Sequence, residues 1–155
     1  MITLRPMTEA EFRAYLAYAV PMYAQEKVEA GNWTAAESLA LSKKSFDDSL
    51  PQGLATPRHH LFTLVNQAGE SVGFLWYGID AVKLALAFVY DFEIHAAFQR
   101  RGYATAALKA LDDHARARGV KRLGLHVFAA NAAARALYAK AGFRDTNVQM
   151  AKDLS

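Results

Sequence analysis

The stretch Gln99–Ala104 (QRRGYA) decides how the rest of this chain is interpreted, because a strand-like sequence ends just before it and a helix-like sequence starts inside it. Its glycine lets the backbone approach a ligand closely, and the free amide groups at a helix start favour a negative charge. Arg100 and Arg101 add positive charge. The hexapeptide therefore predicts a phosphate or pyrophosphate site, although alone it fits a basic helix start with a turn glycine equally well.

The sequence upstream predicts a central strand. Leu84–Ile94 begins as a continuous apolar run and ends in strict alternation, which is typical of a buried strand whose end opens into a cleft. The alternation places Asp91 and Glu93 on one face of that strand.

The sequence downstream predicts a crossover unit. Apolar residues at helical spacing follow Ala104, and Gly119 stands where a left-handed C-cap belongs. A strand over Leu123–Phe128 follows, parallel to its predecessor. Asn131 is suited to cap the last helix, which carries Tyr138 on its apolar stripe and ends at Gly142.

Strand, Q-x-x-G-x-A, helix, strand, N-x-x-A-x-x-L-Y and G-F, in that order between Leu84 and Phe143, resemble the GCN5-related N-acetyltransferase family. The resemblance implies an α/β fold, with a mixed and mostly antiparallel sheet of six or seven strands and about four flanking helices. It also implies that the sheet is splayed at its centre, near Glu93 and His126. Acetyl-CoA is then the donor and a primary amine the acceptor, with direct transfer in a ternary complex.

Turn and capping signals predict the remaining elements. These elements are a strand over Ile2–Arg5, two helices opened by capping boxes at Thr8 and Thr34, a hairpin of Leu61–Val65 and Ser71–Tyr77, and a final strand over Phe143–Lys152. Pro21 is expected to end or kink the first helix.

Length and composition limit the classes of protein to which this chain can belong. A chain of 155 residues suits one domain, 1–155, and the absence of cysteine excludes disulfides, thiolate metal sites and a cysteine nucleophile. His59 and His60 have no neighbours at ligand spacing, so we expect a surface pair and no metal. Without a membrane-length apolar run or a signal peptide, we expect a soluble cytoplasmic protein with no membrane partner.

The charge of the chain gives only weak information about its binding partners. The net charge of +3 is spread along the chain without a basic run containing aromatics, so the sequence disfavours nucleic acid as a partner. Residues 1–50 carry more acidic than basic side chains, which suits either a solvated face or a cationic acceptor. A homodimer is compatible with the sequence.

The family resemblance implies the donor site residue by residue. Backbone amides of the loop would hold the pyrophosphate, and the bulged end of the preceding strand would offer its backbone to the pantetheine arm. Asn131 matches an asparagine that contacts pantetheine in relatives, besides capping its helix. The expected donor-binding residues are Phe92, Ile94, His95, Gln99, Arg100, Arg101, Gly102, Tyr103, Ala104, Thr105 and Asn131.

Acetyl transfer also needs a base for the amine and an acid for the departing thiolate. Glu93 is the leading base because it sits at the strand end beside the expected thioester, while Asp91, His95, His126 and water remain rivals. The resemblance assigns the acid to Tyr138, whose alternative role is simply a core residue. The acceptor stays open among a protein N-terminus, lysine, polyamine, amino sugar or amino acid.

Two other functions are kept as alternatives. One is a module that binds acyl-CoA, or senses it, without catalysis. The other is a nucleotide or nucleic-acid binder, which the absence of a G-x-x-x-x-G-K-S/T loop disfavours.

Overall fold

The computed structural model describes residues 1–155 and shows one sheet with helices on both faces. The strands are β1 (Thr3–Pro6), β2 (His59–Val65), β3 (Ser71–Ile79), β4 (Leu86–Ile94) and β5 (Arg122–Leu125). The helices are α1 (Glu9–Glu29), α2 (Ala35–Ser49), α3 (Tyr103–Arg116) and α4 (Ala132–Lys140), with short 3₁₀ turns at Gly53–Ala55 and Ala96–Phe98. None of the helices combines the length and the apolar character needed to cross a lipid bilayer.

The sheet confirms the predicted class but has fewer strands than expected. Its order is β1-β2-β3-β4-β5, with antiparallel pairs except between β4 and β5, which are parallel. The predicted final strand over Phe143–Lys152 is wrong for this chain. Residues 143–155 contain no helix or strand, because no strand of the same chain pairs with them.

Helix starts follow the local signals in the sequence. The Thr8 hydroxyl accepts a hydrogen bond from the Glu11 amide, and the Glu11 carboxylate accepts one from the Thr8 amide, which completes the first capping box. The Glu37 carboxylate accepts from the Thr34 amide in the same way. Pro21 does not end α1, since the helix continues through it to Glu29.

Alternation along the strands separates two cores. Phe74 and Trp76 of β3 pack with α1 and α2 on one face, whereas Leu75 and Tyr77 pack with α3 on the other. His59 and His60 are half-buried rather than on the surface, and they lie on opposite faces of the sheet, beside Trp76 and Tyr77 respectively. The His59 ring accepts a hydrogen bond from the Trp76 indole at 3.0 Å.

A β-bulge at Tyr90 changes which face the β4 side chains occupy. Trp76 pairs with Asp91 and Tyr77 with Val89, so Tyr90 is the extra residue. Val89 therefore faces α3, while Asp91 lies opposite Trp76 on the α1 face. The expected bulge within Phe92–His95 is wrong in position, because the register there is regular.

The splay of the sheet starts at the same place. β4 pairs with β5 only from Leu86 to Val89, and β5 ends at Leu125 while β4 continues to Ile94. The last part of β4 consequently has an open side. In a sheet of five strands this gap lies between the last two strands rather than at the centre.

Candidate functional site

The loop before α3 offers a series of unpaired amides. No backbone N–H group from Arg100 to Thr105 donates a hydrogen bond within the chain. Gly102 is the N-cap of α3 with φ 81°, and Arg100 also has a positive φ of 62°, which turns successive amides towards one side. No side chain caps this helix, and its first turn has no acidic residue. The segment can therefore bind an anion.

Side chains of the loop hold it in position. The Gln99 amide donates to the Ile94 carbonyl at 2.9 Å and so ties the loop to the end of β4. The Tyr103 hydroxyl accepts from the Asn66 amide at 3.2 Å, so its ring anchors the loop to the β2–β3 turn. The Arg101 guanidinium lies 5.6 Å from the Phe98 ring. Arg100 and Thr105 are exposed, and Ala104 is half-buried at the helix start.

The open side of β4 carries backbone groups that β5 does not reach. His95 donates to the Val72 carbonyl of β3 at 2.8 Å, so by alternation Phe92 and Ile94 direct their amides to the opposite side. The Phe92 amide donates to the Asp91 carboxylate at 3.0 Å. The Ile94 side chain is buried, so only its backbone can face a ligand, and the His95 side chain is exposed.

Two tyrosines of α1 hold the β4 carboxylates. The Tyr15 hydroxyl donates to Asp91 at 2.7 Å, and the Tyr18 hydroxyl lies 2.8 Å from both oxygens of Glu93. Because both contacts come from α1, Asp91 and Glu93 share a face, as the alternation predicts. The sequence analysis did not identify either tyrosine as a site residue. A buried tyrosine hydroxyl usually needs a partner, but this signal applies to Tyr15 alone, because Tyr18 is 41% exposed.

The carboxylates form a cluster without basic partners. The pKa of Asp91 is raised to about 6, mainly by burial and also by the charge of Glu93, against the lowering effect of the Tyr15 hydrogen bond. The pKa of Glu26 is raised by burial and by the charges of Asp91 and Glu93. None of these three carboxylates belongs to an ion pair. Glu26, which the sequence analysis missed, thus adds to a negative surface at the gap.

Tyr138 lies close enough to this cluster to feel its charge. Burial raises the pKa of Tyr138 to about 12, and the charge of Asp91 contributes to the rise. The ring packs edge-on against Phe143 at 5.6 Å, but its hydroxyl makes no hydrogen bond within the chain. Tyr138 is thus a protonated phenol at neutral pH with its proton free for donation.

The two remaining candidates lie just beyond β5. The Asn131 side chain accepts a hydrogen bond from the Ala134 amide at 3.1 Å and so caps α4, as predicted. The exposed His126 stacks edge-on with Phe128 at 5.0 Å and contacts neither β4 carboxylate by a hydrogen bond.

Comparisons with known proteins show which proteins this chain resembles. The sequence profile of the acetyltransferase (GNAT) family matches residues 22–143. The chain is 46% identical to the uncharacterized N-acetyltransferase YycN of Bacillus subtilis over 99% of both chains. The YycN crystal structure superposes with a TM-score of 0.96 over 100% of this chain and 99% of that one. The N-acetyltransferase YdgE of the same organism is 38% identical over 98% of both chains.

A more distant similarity concerns part of the chain. The ribosomal protein bS18-alanine N-acetyltransferase of Salmonella typhimurium is 38% identical over 73 residues, which make up 47% of this chain and 49% of that protein.

The raised pKa of Asp91 predicts a pH-dependent stability. Since the folded protein binds this proton more tightly than the unfolded chain, Asp91 costs stability once it ionises, as pH rises from about 4 to about 6. Relative to Asp91→Asn, wild-type stability should fall by on the order of 2 kcal/mol over that interval and then stay level. Urea unfolding at a series of pH values measures it.

Asp153→Asn is the matched control, because Asp153 is an exposed carboxylate that belongs to no ion pair. Its curve should run parallel to that of the wild type. If the Asp91→Asn curve is also parallel, the Asp91 carboxyl ionises with its ordinary pKa.

Proposed function

The chain belongs to the acetyltransferase (GNAT) family, and on this basis we propose that it moves an acetyl group from acetyl-CoA directly to a primary amine. Family membership makes it an acetyl-CoA-dependent acetyltransferase. The amine, the direct transfer and the role of each residue are the proposal. The observation that carries it is the run of unpaired amides at Arg100–Thr105, tied by Gln99 to the open end of β4.

The residues at this loop fit coenzyme A. The amides of Arg100–Thr105 would donate to the pyrophosphate, and a Cβ built on Gly102 meets no atom within 4 Å, so the approach to the backbone is open. The Ile94 amide would donate to a carbonyl group lying along β4, as in an added strand. Asn131, which caps α4, would contact the pantetheine arm. When bound, acetyl-CoA supplies an acetyl thioester and leaves as a thiol.

The acceptor that suits this site is a positively charged amine. Glu26, Asp91 and Glu93 attract cations because no lysine or arginine neutralises them. Glu93 takes the proton of the ammonium group onto a carboxylate oxygen, directly or through water, while the Tyr18 hydroxyl fixes the orientation of that carboxylate. Asp91 is the alternative base, since its pKa of about 6 lies near neutral pH.

In the proposed reaction Tyr138 is the general acid for the departing thiolate. It holds its proton on the phenol oxygen at neutral pH, and its hydroxyl has no partner in the chain that would compete for that proton. The phenol can therefore donate to a thiolate that leaves through the gap.

An amine panel with mass detection of the product tests the function as a whole. Amines with a second positive charge should be acetylated better than amines carrying a carboxylate beside the reacting nitrogen. Binding of acetyl-CoA without acetylation of any amine would instead support the alternative of an acyl-CoA-binding module without catalysis.

Gly102→Glu should weaken coenzyme A binding by more than tenfold, a loss of more than about 1.4 kcal/mol, because it places a carboxylate at the anion site. Gly119→Glu is the matched control, since Gly119 has a similar φ of 83° and equally open surroundings at the other end of α3. Calorimetry with coenzyme A gives both dissociation constants. Equal affinities of the two folded variants for coenzyme A would show that this loop does not bind the pyrophosphate.

Glu93→Gln should lower kcat/KM for amines that are protonated at neutral pH, with a smaller loss as pH rises and the free amine becomes available. Binding of coenzyme A should be unchanged. The measurement is a pH profile of kcat/KM for the wild type, Glu93→Gln and Asp91→Asn. If the profile of Glu93→Gln overlays that of the wild type and Asp91→Asn shows the loss, Asp91 is the base.

Tyr138→Phe should lower kcat at least tenfold, because it keeps the ring and removes the donated proton. The variant should melt close to the wild type, since the hydroxyl makes no hydrogen bond that the change would break. Steady-state kinetics and a melting curve check both statements. Full kcat in a folded variant would show that Tyr138 packs in the fold and does not donate the proton.

A further inference from the structure

Two aromatic side chains of β4 are left uncovered on the face of the sheet that carries the carboxylates. Phe88 and Tyr90 are 38% and 44% exposed, although α1 and α2 cover the neighbouring part of this face around Phe74 and Trp76. The Phe88 and Tyr90 rings pack edge-on, with their centroids 5.1 Å apart. Exposed apolar groups that adjoin one another often mark a binding surface.

The Tyr90 ring is held in one orientation by the residues beneath it. It stacks on the Trp76 indole with the centroids 4.5 Å apart and the planes at 15°, and the His59 ring lies 5.4 Å away. The Trp76 indole is fixed in turn by its hydrogen bond to His59. Gly78 leaves space for these rings, since a Cβ at Gly78 would lie 2.7 Å from His59 and 3.1 Å from Tyr90. Packing therefore covers one face of the Tyr90 ring and fixes the part that stays exposed.

Phe88 lies between two glycines of the neighbouring strands. It pairs with Gly78 of β3 and with Gly124 of β5, so neither partner places a side chain beside the Phe88 ring. Glycine weakens a strand, and inside a sheet it often marks a place where a ligand approaches closely. A Cβ built on Gly124 would meet only the Phe88 ring, at 3.5 Å, and the Ala87 carbonyl, at 3.9 Å. The space above Gly124 is otherwise open, and we call Phe88, Tyr90 and Gly124 the aromatic platform.

The bulge in β4 joins the aromatic platform to the carboxylates. Because Tyr90 is the extra residue, Tyr90 and Asp91 are consecutive and both lie on the α1 face. Trp76 pairs with Asp91 in the sheet and stacks under Tyr90, so the ring and the carboxylate adjoin. Glu93 follows on the same face, about 7 Å further along the strand. An aromatic surface and two carboxylates thus follow one another along β4.

We infer that the amine acetylated by this protein carries a planar aromatic ring, which lies on the aromatic platform while its ammonium group lies at Asp91 and Glu93. The inference rests on the proposed acetyl transfer and names the class of acceptor for that same site. Such an amine matches the surface in polarity, because its ring meets aromatic rings and its cation meets carboxylates without basic partners.

A second ammonium group suits the platform less well than a ring. Arg122 lies on the same face of β5 as Gly124, two residues earlier, so a cation bound above the platform would have a like charge beside it. An aromatic ring carries no net charge and gains contact area from Phe88 and Tyr90. The platform therefore favours a neutral, flat group over a charged one.

The kinetics of two amines test the platform. The measured quantity is the ratio of kcat/KM for 2-phenylethylamine to kcat/KM for ethylamine within one variant, which cancels effects on the donor. Gly124→Val fills the space beside Phe88 and should lower this ratio at least about fivefold, mainly through a higher KM for 2-phenylethylamine. The φ of Gly124 is not positive, so valine fits the strand. Leu39→Val, at an exposed leucine of α2, is the matched control and should leave the ratio unchanged.

Phe88→Leu is a second variant, which keeps the apolar bulk and removes the ring. It should lower the same ratio at least about threefold, because contacts between aromatic rings contribute beyond the area that they bury. Ratios equal to that of the wild type in both variants would overturn the inference. A wild type that acetylates ethylamine but not 2-phenylethylamine would overturn it as well.

Calorimetry separates this inference from the proposed function. Coenzyme A without an acetyl group forms a complex in which no transfer occurs, and 2-phenylethylamine is titrated into that complex. Gly124→Val should raise the Kd for the amine at least about fivefold over the wild type. If Kd rises and no amine is acetylated, the platform binds the ring and the proposed acetyl transfer is wrong. If amines are acetylated and the two Kd values are equal, the transfer stands and the platform is wrong.

Light scattering after gel filtration tests the other possible occupant of this face, a second copy of the chain. Phe88→Asp should leave the state of assembly of the wild type unchanged. A dimer that Phe88→Asp dissociates would show that the platform is a subunit interface, and it would overturn the assignment of this face to the amine.

Discussion

The bulge at Tyr90 is the feature on which the site depends. A regular β4 would place Asp91 on the same face as Val89, among the apolar side chains that pack on α3. One extra residue reverses the faces, so that Asp91 and Glu93 meet α1 instead. The pairing of β4 with β5 ends at Val89, one residue before the bulge. The same irregularity therefore aims the carboxylates and opens the backbone of β4 to a ligand.

The charge of Asp91 links the two chemical tasks of the site. A mostly buried carboxylate is costly, and the hydroxyl of Tyr15 offsets part of that cost by donating a hydrogen bond. In the proposed reaction the negative potential that remains would attract the cationic amine, and it also adds to the rise that burial causes in the pKa of Tyr138. The carboxylate that would suit a cationic acceptor thus also moves the pKa of the phenol further above neutral pH. Replacing Asp91 would weaken the attraction for the amine and would also lower the pKa of Tyr138. Replacing Glu93 would leave that pKa unchanged, because the Glu93 charge does not contribute to it.

Local signals explain what the sequence predicted well. Capping at Thr8 and Asn131, and the left-handed glycines at both ends of α3, depend on residues within a few positions of one another. The contacts of Tyr15 and Tyr18 with β4 join residues some 75 positions apart, which no local pattern encodes. The position of the bulge depends on the register between β3 and β4, which pairs Trp76 with Asp91. Glu26 likewise joins the site only because a long helix passes through Pro21 without a break.

The misassigned last strand has a different cause. Alternation at Val148 and Met150 describes what residues 144–155 can pair with, whereas a strand exists only when a partner supplies hydrogen bonds. Within one chain that partner is absent, since residues 144–155 and β5 both line a groove but make no backbone hydrogen bond to each other. In water the exposed amides cost little, because solvent satisfies them, so the chain tolerates this open arrangement. Val148 and Met150 stay exposed as a result, and their side chains contribute none of the free energy that burial would supply.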